Sequence, residues 1–312
     1  MKKALIIGHT GQDGYYLTKF LNSLSYQVIG VSSKEIYTNF DITLPDKFDL
    51  QNKKVLYTFL DLIEADEIYY LAAFHQSSSD EVIDDGWLFD KSFEINTHAY
   101  INILQWIAEK KAQTKIFYAA SSHVFGSPDH CPQTEETPLN PTNIYGISKV
   151  SSIHASAYYS KVHNVFASCG ILYNHESPRR GDKFVTQKII KNAIAIKKGS
   201  INSLVLGDLT AAIDWGYAPD YVEAFHAILQ APKPTNYIVA TNQLNTVQRF
   251  VDITFKYLDL DPMQYVYQNS NIITKKLNNN LCGNNSKLIT DTGWKPKVSF
   301  EEMIHLMIEA AL

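Results

Sequence analysis

The sequence predicts an α/β protein: a Rossmann-type, doubly wound parallel sheet with a smaller C-terminal substrate-binding region. Three observations carry this. Short apolar runs alternate with longer helix-like stretches through the first half of the chain. A glycine-rich turn follows the first of those runs at once, and a Tyr-x-x-x-Lys pair, Tyr145 and Lys149, follows a later run that ends in Ser121. Strands that alternate with helical patterns indicate βαβ units, because parallel neighbours need a crossover between them.

The elements follow in order. MKKALII (1–7) is read as a first strand and not as a signal peptide, since its apolar run is short and meets a glycine turn. YYLTKFLNSL gives a helix, QVIGV a strand, VLYTFLDLI a helix and EIYYLAA a strand. INILQWIAEKK is a further helix leading into the strand KIFYAAS, and NVFASCGILY is the last strand of a domain spanning 1–173. Beyond it the pattern loosens into polar HESPRRGDKF, helix-like KIIKNAIAIKKG and shorter elements ending in the helix EEMIHLMIEAAL. Residues 174–312 are read as mainly substrate-binding and interleaved with the first domain. NNNLCGNN (278–285) reads as a surface loop.

The 312 residues, 45% hydrophobic and 19% charged, can bury a substantial core, and a net charge of −4 offers no general attraction to nucleic acid or anionic membrane. No window reaches the run of apolar residues that a membrane span needs. Cys131, Cys169 and Cys282 are far apart and without a CxxC, which speaks against a disulfide framework or a zinc site and suits a reducing cytoplasm; no metal is expected.

The turn Gly8-His9-Thr10-Gly11-Gln12-Asp13-Gly14 lies between a strand and a helix. Glycines there permit a tight turn and close approach of backbone to a pyrophosphate resting on the helix N-terminus. Gly8, Thr10, Gly11, Gln12, Asp13 and Gly14 are therefore candidate contacts to a dinucleotide. A carboxylate after the second strand would select NAD, but Ser32, Ser33 and Lys34 stand there, and the first acid is Glu35; hydroxyls and an ammonium favour NADP, with NAD as the alternative. Asp49 and Leu50 are placed to reach the adenine, and Leu71, Ala72 and Ala73 to lie beside the cofactor.

Tyr145 and Lys149, four apart, share one helical face. A phenol has an ordinary pKa of about 10. An adjacent ammonium together with a bound nicotinamide cation is expected to lower it, making Tyr145 a base that takes a sugar hydroxyl proton as hydride leaves.

With these residues in place, the sequence resembles the extended short-chain dehydrogenases/reductases, and among them the GDP-mannose 4,6-dehydratases. The likeness rests on GHTGQDGYYL, AASSHVFG, PLNPTNIYGISK, ILYNHESPRRGDKFVTQKI, LGDLTAAIDWGYAPDYVEA, YIVATN and GWKPKVSFEEM, with NHESPRRG the most specific. The resemblance implies a cycle in which Tyr145, with Lys149 and Ser121, oxidises C4 of a nucleotide-linked sugar, water leaves across C5 and C6, and the hydride returns to C6. It implies cofactor contacts from Tyr145, Lys149, Leu172, His175 and Arg180, and contacts to the sugar nucleotide from Ser122, Asn174, Val185 and Lys188. A homodimer or homotetramer is implied as well.

His123 falls where the family's catalytic glutamate is expected. Three readings are open: the imidazole takes over the acid–base work at C5 and C6; elimination is absent and the enzyme oxidises, reduces or epimerises at C4; or His123 packs beside the site. Ile213 replaces an expected arginine, and Thr-Lys-Lys-Leu (274–277) replaces an expected Arg-Pro-x-Glu, which opens the choice of sugar, a heptose or deoxy sugar included. A cofactor-binding scaffold without turnover is the reading from another class.

Overall fold

A computed structural model of the chain describes residues 1–45, 48–75, 84–110, 112–269 and 280–312. The departures at 274–277 lie outside the described residues. Along the chain, β1 (Lys3–Ile7) leads into α1 (Gln12–Ser23), then β2 (Gln27–Val31), a short β3 (Ile36–Thr38), α2 (Lys53–Ile63) and β4 (Glu67–Tyr70). Next come α3 (Asp85–Phe93), α4 (Ala99–Lys110), β5 (Lys115–Ser121), α5 (Ile144–His163), β6 (Ala167–Leu172), β7 (Asn174–Glu176) and α6 (Val185–Lys197). β8 (Leu204–Leu206), β9 (Ala212–Tyr217), α7 (Ala218–Gln230), β10 (Asn236–Val239), β11 (Leu244–Thr246) and α8 (Val247–Tyr257) follow. The last elements are α9 (Pro262–Tyr265), β12 (Val266–Gln268), α10 (Ser286–Thr292) and α11 (Phe300–Glu309).

Among the described residues the main sheet runs β10-β6-β5-β4-β1-β2-β3. Its pairings are parallel except β2 with β3. The doubly wound α/β architecture is thus present, and the antiparallel return of β3 is an addition to what the sequence predicts. β1 shows why its strand reads as an unbroken apolar run: Leu5 and Ile7 enter the core beneath α2, α4 and α5, while Ala4 and Ile6 enter the core beneath α1 and α7. With both faces covered, the two-residue period leaves no polar side.

The C-terminal region forms smaller sheets, β11-β9-β7 and β12-β8, and a third core where α6, α8 and α11 pack Ile189, Ile190, Phe250, Phe255 and Met303. It is interleaved with the first part of the chain: β10 is an edge of the main sheet, and α7 covers one of its faces. Among the described residues no helix is long and apolar enough to cross a membrane, and no group of three or more His, Cys, Asp or Glu side chains is arranged to hold a metal. All three cysteines are free thiols.

The strand order reverses at β1, whose neighbours β2 and β4 lead the chain away in opposite directions. In open α/β sheets the crevice at that point, beyond the carboxyl ends of the strands, holds the ligand. The glycine turn after β1, Leu71 to His75 after β4 and Ser121 to His123 after β5 all lie there.

Candidate active site

The floor of the crevice is the β1–α1 turn. Gly8 adopts φ +98°, and its amide donates to Val31 O at 2.7 Å. Gly14 lets α1 pack onto the turn: a Cβ there would meet Gly8 O and His9 Cα, each at 2.4 Å. The N-cap of α1, Gly11, has no capping side chain, so no side chain competes for the first amides of the helix. A turn that brings backbone close and ends in a helix N-terminus uncapped by a side chain fits a dinucleotide pyrophosphate.

Asp13 and His175 join the two parts of the chain across this floor. His175 Nε2 stands 3.0 Å from the Asp13 carboxylate, and its Nδ1 is 2.7 Å from Tyr173 O. Burial works against charge on both, but each is the other's strongest support: the Asp13 carboxyl is held below its ordinary range by His175, Gln12 and Arg180, and His175 is raised by Asp13. Gln12 donates to His175 O at 3.0 Å and accepts from Ser177 Oγ at 2.8 Å. Arg180 reaches Glu176 at 3.3 Å and lies over the Phe184 ring.

The second wall comes from β5 and α5. Asn143 caps α5, its Oδ1 accepting from Gly146 N at 2.8 Å. That bond fixes the amide, so Nδ2 faces His123 Nδ1 at 3.1 Å and donates to it. The neutral His123 ring therefore carries its proton on Nε2. The Ser121 hydroxyl acts on the Tyr145 phenol and favours its ionised form. The Tyr145 ring stands 4.6 Å from that of His75 and 5.9 Å from that of His123, and the two imidazoles are 6.1 Å apart. Lys149, 1% exposed, lies beneath: its Nζ donates to Ala119 O at 2.7 Å and sits 5.4 Å from the Tyr145 ring centroid.

This geometry corrects one expectation. Lys149 does not bring the phenol down. Burial pushes Tyr145 up to about 12, against the pull of the Arg180 guanidinium and the Ser121 hydroxyl, and burial draws Lys149 down to about 7. Both shifts have one cause, removal of the charged form from water.

A pH dependence follows. From about pH 7 toward its ordinary value of 10.5, Lys149 binds fewer protons in the folded than in the unfolded chain, so stability rises with pH there. Above about pH 9 the buried Cys169 and Cys282 thiols, pushed up to about 12, act in the opposite sense. Wild-type stability, measured by chemical denaturation, is expected to climb between pH 7 and 9 with a slope approaching about 1.4 kcal/mol per pH unit. In Lys149→Met that part of the slope vanishes.

Three positions here escaped the sequence reading. His75 carried no signal, because nothing local tells that β4 ends against Tyr145. Asn143 was not singled out, either as the cap of α5 or as a partner of His123. Asn96, in a widened turn between α3 and α4, holds Phe74 by both backbone groups: its Oδ1 accepts from Phe74 N at 2.8 Å and its Nδ2 donates to Phe74 O at 3.0 Å. The same amide donates to Ser148 Oγ at 3.0 Å, tying the segment before His75 to α5.

The sequence profile described as GDP-mannose 4,6 dehydratase matches residues 5–307. The chain belongs to the GDP-mannose 4,6-dehydratase family. GDP-mannose 4,6 dehydratase 2 of Arabidopsis thaliana is 36% identical over 333 aligned positions, covering 100% of this chain and 87% of the relative. The GDP-mannose 4,6 dehydratase of Homo sapiens is 30% identical, covering 98% and 90%. Among solved structures, RMD from Pseudomonas aeruginosa complexed with NADPH superposes with a TM-score of 0.84 at 19% identity, covering 99% of this chain and 98% of that one. dTDP-glucose 4,6-dehydratase from Bacillus anthracis in complex with NAD gives 0.81 at 20%, covering 99% and 96%. At these identities the solved structures speak for the fold. The chain is thus an enzyme of the nucleotide-sugar 4,6-dehydratase family with the extended short-chain dehydrogenase/reductase architecture, and NAD(P) is the cofactor typical of that family.

Other positions named from the sequence of this GDP-mannose 4,6-dehydratase family member are placed as follows. Leu71 N donates to Ile7 O at 2.9 Å, Ala72 packs against Gly8, and Ala73 is exposed. The Asp49 carboxylate accepts from Gln51 N and Asn52 N, and Leu50 packs on the core, so both serve the turn before α2. Ser122 is buried, Leu172 closes β6 in the core under α7, and Asn174 pairs with Trp215. Val185 opens α6, where the Lys188 ammonium donates to Val205 O at 2.8 Å. Ile213 packs on the third core.

Proposed function

We propose that this chain oxidises C4 of a nucleoside-diphosphate hexose or heptose, with a GDP sugar the first candidate, and then eliminates water across C5 and C6. The observation that carries this reading is the cluster of Ser121, Tyr145, Lys149, His123 and His75 beside a dinucleotide-type turn, in a chain of this family. A bound NAD(P) supplies the hydride acceptor and later the donor. Gly8, Thr10, Gly11, Gln12, Asp13 and Gly14 would hold its pyrophosphate, and Tyr145, Lys149, His175 and Arg180 would hold its reacting end.

Tyr145 gives up its own proton to the neutral amine of Lys149, and the phenolate so formed takes the C4 hydroxyl proton, with Ser121 orienting it. Lys149, half-protonated near neutral pH, receives charge beneath the ring. The C4 ketone then acidifies the C5 proton. Of the readings open for His123, the neutral ring with its proton on Nε2 suits it to donate a hydrogen bond to the C6 oxygen. His75 takes the C5 proton and returns it to the C6 hydroxyl, which leaves as water while the C5–C6 double bond forms. Ser122, Asn174, Val185 and Lys188 flank the sugar nucleotide.

The donor form of His123 also favours a second reading, in which chemistry stops at C4 oxidation, reduction or epimerisation. Mass spectrometry of the products from GDP-mannose, GDP-heptose, dTDP-glucose and UDP-glucose separates the two. A 4-keto product lighter by one water, with no net reduced cofactor, is expected. Reduced cofactor accumulating without water loss selects the second reading, and no product from any of them selects a non-catalytic paralogue. Assembly as a homodimer or homotetramer is part of the proposal: α5 leaves Tyr158 and Val162 exposed on the helix that carries Tyr145. A cytoplasmic setting suits the three free thiols.

A further inference from the structure

We infer that this chain selects NAD over NADP, with Glu35 and His9 as the specificity-determining pair at the adenosine ribose. This rests on the dinucleotide reading of the glycine turn and not on the sugar chemistry.

In a Rossmann sheet the ribose 2′-oxygen lies between the first turn and the end of the second strand, where a carboxylate accepts from a 2′-hydroxyl and repels a 2′-phosphate. Here the amides of Gly8 and His9 both donate to Val31 O, at 2.7 and 3.3 Å, so the turn is pinned over the end of β2. Beyond Val31 the chain doubles back. Ser32 N donates to Glu35 O at 3.0 Å, and Ser32 Oγ donates to the same carbonyl at 3.2 Å while accepting from Lys34 N and Glu35 N at 3.1 Å each. The Ser32 hydroxyl is thereby committed to the turn and, in this inference, does not address a phosphate. Lys34 is exposed within that turn.

β3 then returns antiparallel, Ile36 pairing with Val31, and this brings the Glu35 carboxylate back to the crevice. Glu35 Oε1 stands 3.7 Å from His9 Nε2. The His9 ring is 7% exposed and occupies the space left by Gly30, where a Cβ would lie 2.6 Å from His9 Cγ. Its Nε2 is buried with no hydrogen-bond partner, an arrangement native interiors avoid unless a ligand or water completes it. A 2′-hydroxyl between the two accepts from Nε2–H and donates to the carboxylate. A 2′-phosphate brings about −1.5 to −2 charges toward Glu35. Burial keeps the imidazole below its ordinary range, so it is neutral at pH 7 and offers no compensating charge.

Dissociation constants for NAD⁺ and NADP⁺, measured by calorimetry on the purified chain without any sugar, test this. The wild type is expected to bind NAD⁺ at least about tenfold tighter, and Glu35→Gln, an exposed and isosteric change, to close most of that gap by tightening NADP⁺. His9→Phe is expected to weaken NAD⁺ several-fold without helping NADP⁺. Equal or tighter NADP⁺ binding by the wild type overturns the inference, as does a ratio that Glu35→Gln leaves unchanged. Failure of the dehydration reading leaves the ratio measurable; a chain that binds neither nucleotide overturns this inference and the cofactor reading together.

Discussion

Tyr145→Phe is expected to lower kcat by about a hundred- to ten-thousand-fold, the range a positioned proton acceptor contributes, while leaving dinucleotide affinity nearly unchanged. The substitution keeps the ring, so the packing against His75 and the cap of α5 persist. What disappears is the hydroxyl to which the proposed reaction assigns the C4 proton. Because burial pushes that phenol up to about 12, the apo chain holds it protonated at neutral pH, and its proton must move within the assembled complex. Wild-type activity is accordingly expected to rise with pH through the range where Lys149 loses its proton, near pH 7. Single-turnover absorbance of the reduced cofactor reads both effects. A phenylalanine variant that oxidises C4 at the wild-type rate would remove Tyr145 from the chemistry.

Gly14→Ala is expected to damage both stability and dinucleotide binding. The added carbon meets backbone, Gly8 O and His9 Cα at 2.4 Å, and no flexible side chain can yield. α1 must retreat from the turn, which costs about 1–3 kcal/mol of stability as overpacking does. The retreat also moves the helix N-terminus from the pyrophosphate, so NAD⁺ and NADP⁺ are both expected to bind at least about tenfold more weakly. Gly181→Ala is the control: its Cβ would touch only Phe184 carbons at 3.6 and 3.7 Å, and near wild-type melting and affinity are expected. Equal behaviour of the two variants in thermal melts would show that the close approach at Gly14 does not matter.

The parts of the fold legible in the sequence are those with a local cause. The parallel strands announce themselves because burial on both faces leaves continuous apolar runs, and the glycine turn because backbone geometry there admits little else. The Ser121, Tyr145 and Lys149 set was legible as spacing on a strand end and a helix face. The direction of the pKa shifts was not, since spacing places Lys149 near Tyr145 without saying that both are removed from water. β3 was missed because three residues are too short for a periodicity, and with it went the route by which Glu35 returns to the crevice. His75, Asn96 and the second role of Asn143 depend on contacts between segments far apart in the chain, where local pattern carries no information.

The placement of β10 bears on how the protein is made. β6, buried along its whole length, has an open edge until residues 236–239 pair with it. On the ribosome that edge emerges long before its partner, and an unpaired apolar strand is a template for aggregation. A fragment ending near residue 173 would carry the same bare edge, so expressing the two halves as separate polypeptides is a poor route to soluble material, and co-translational chaperone protection is most needed while the stretch between β6 and β10 is still being synthesised.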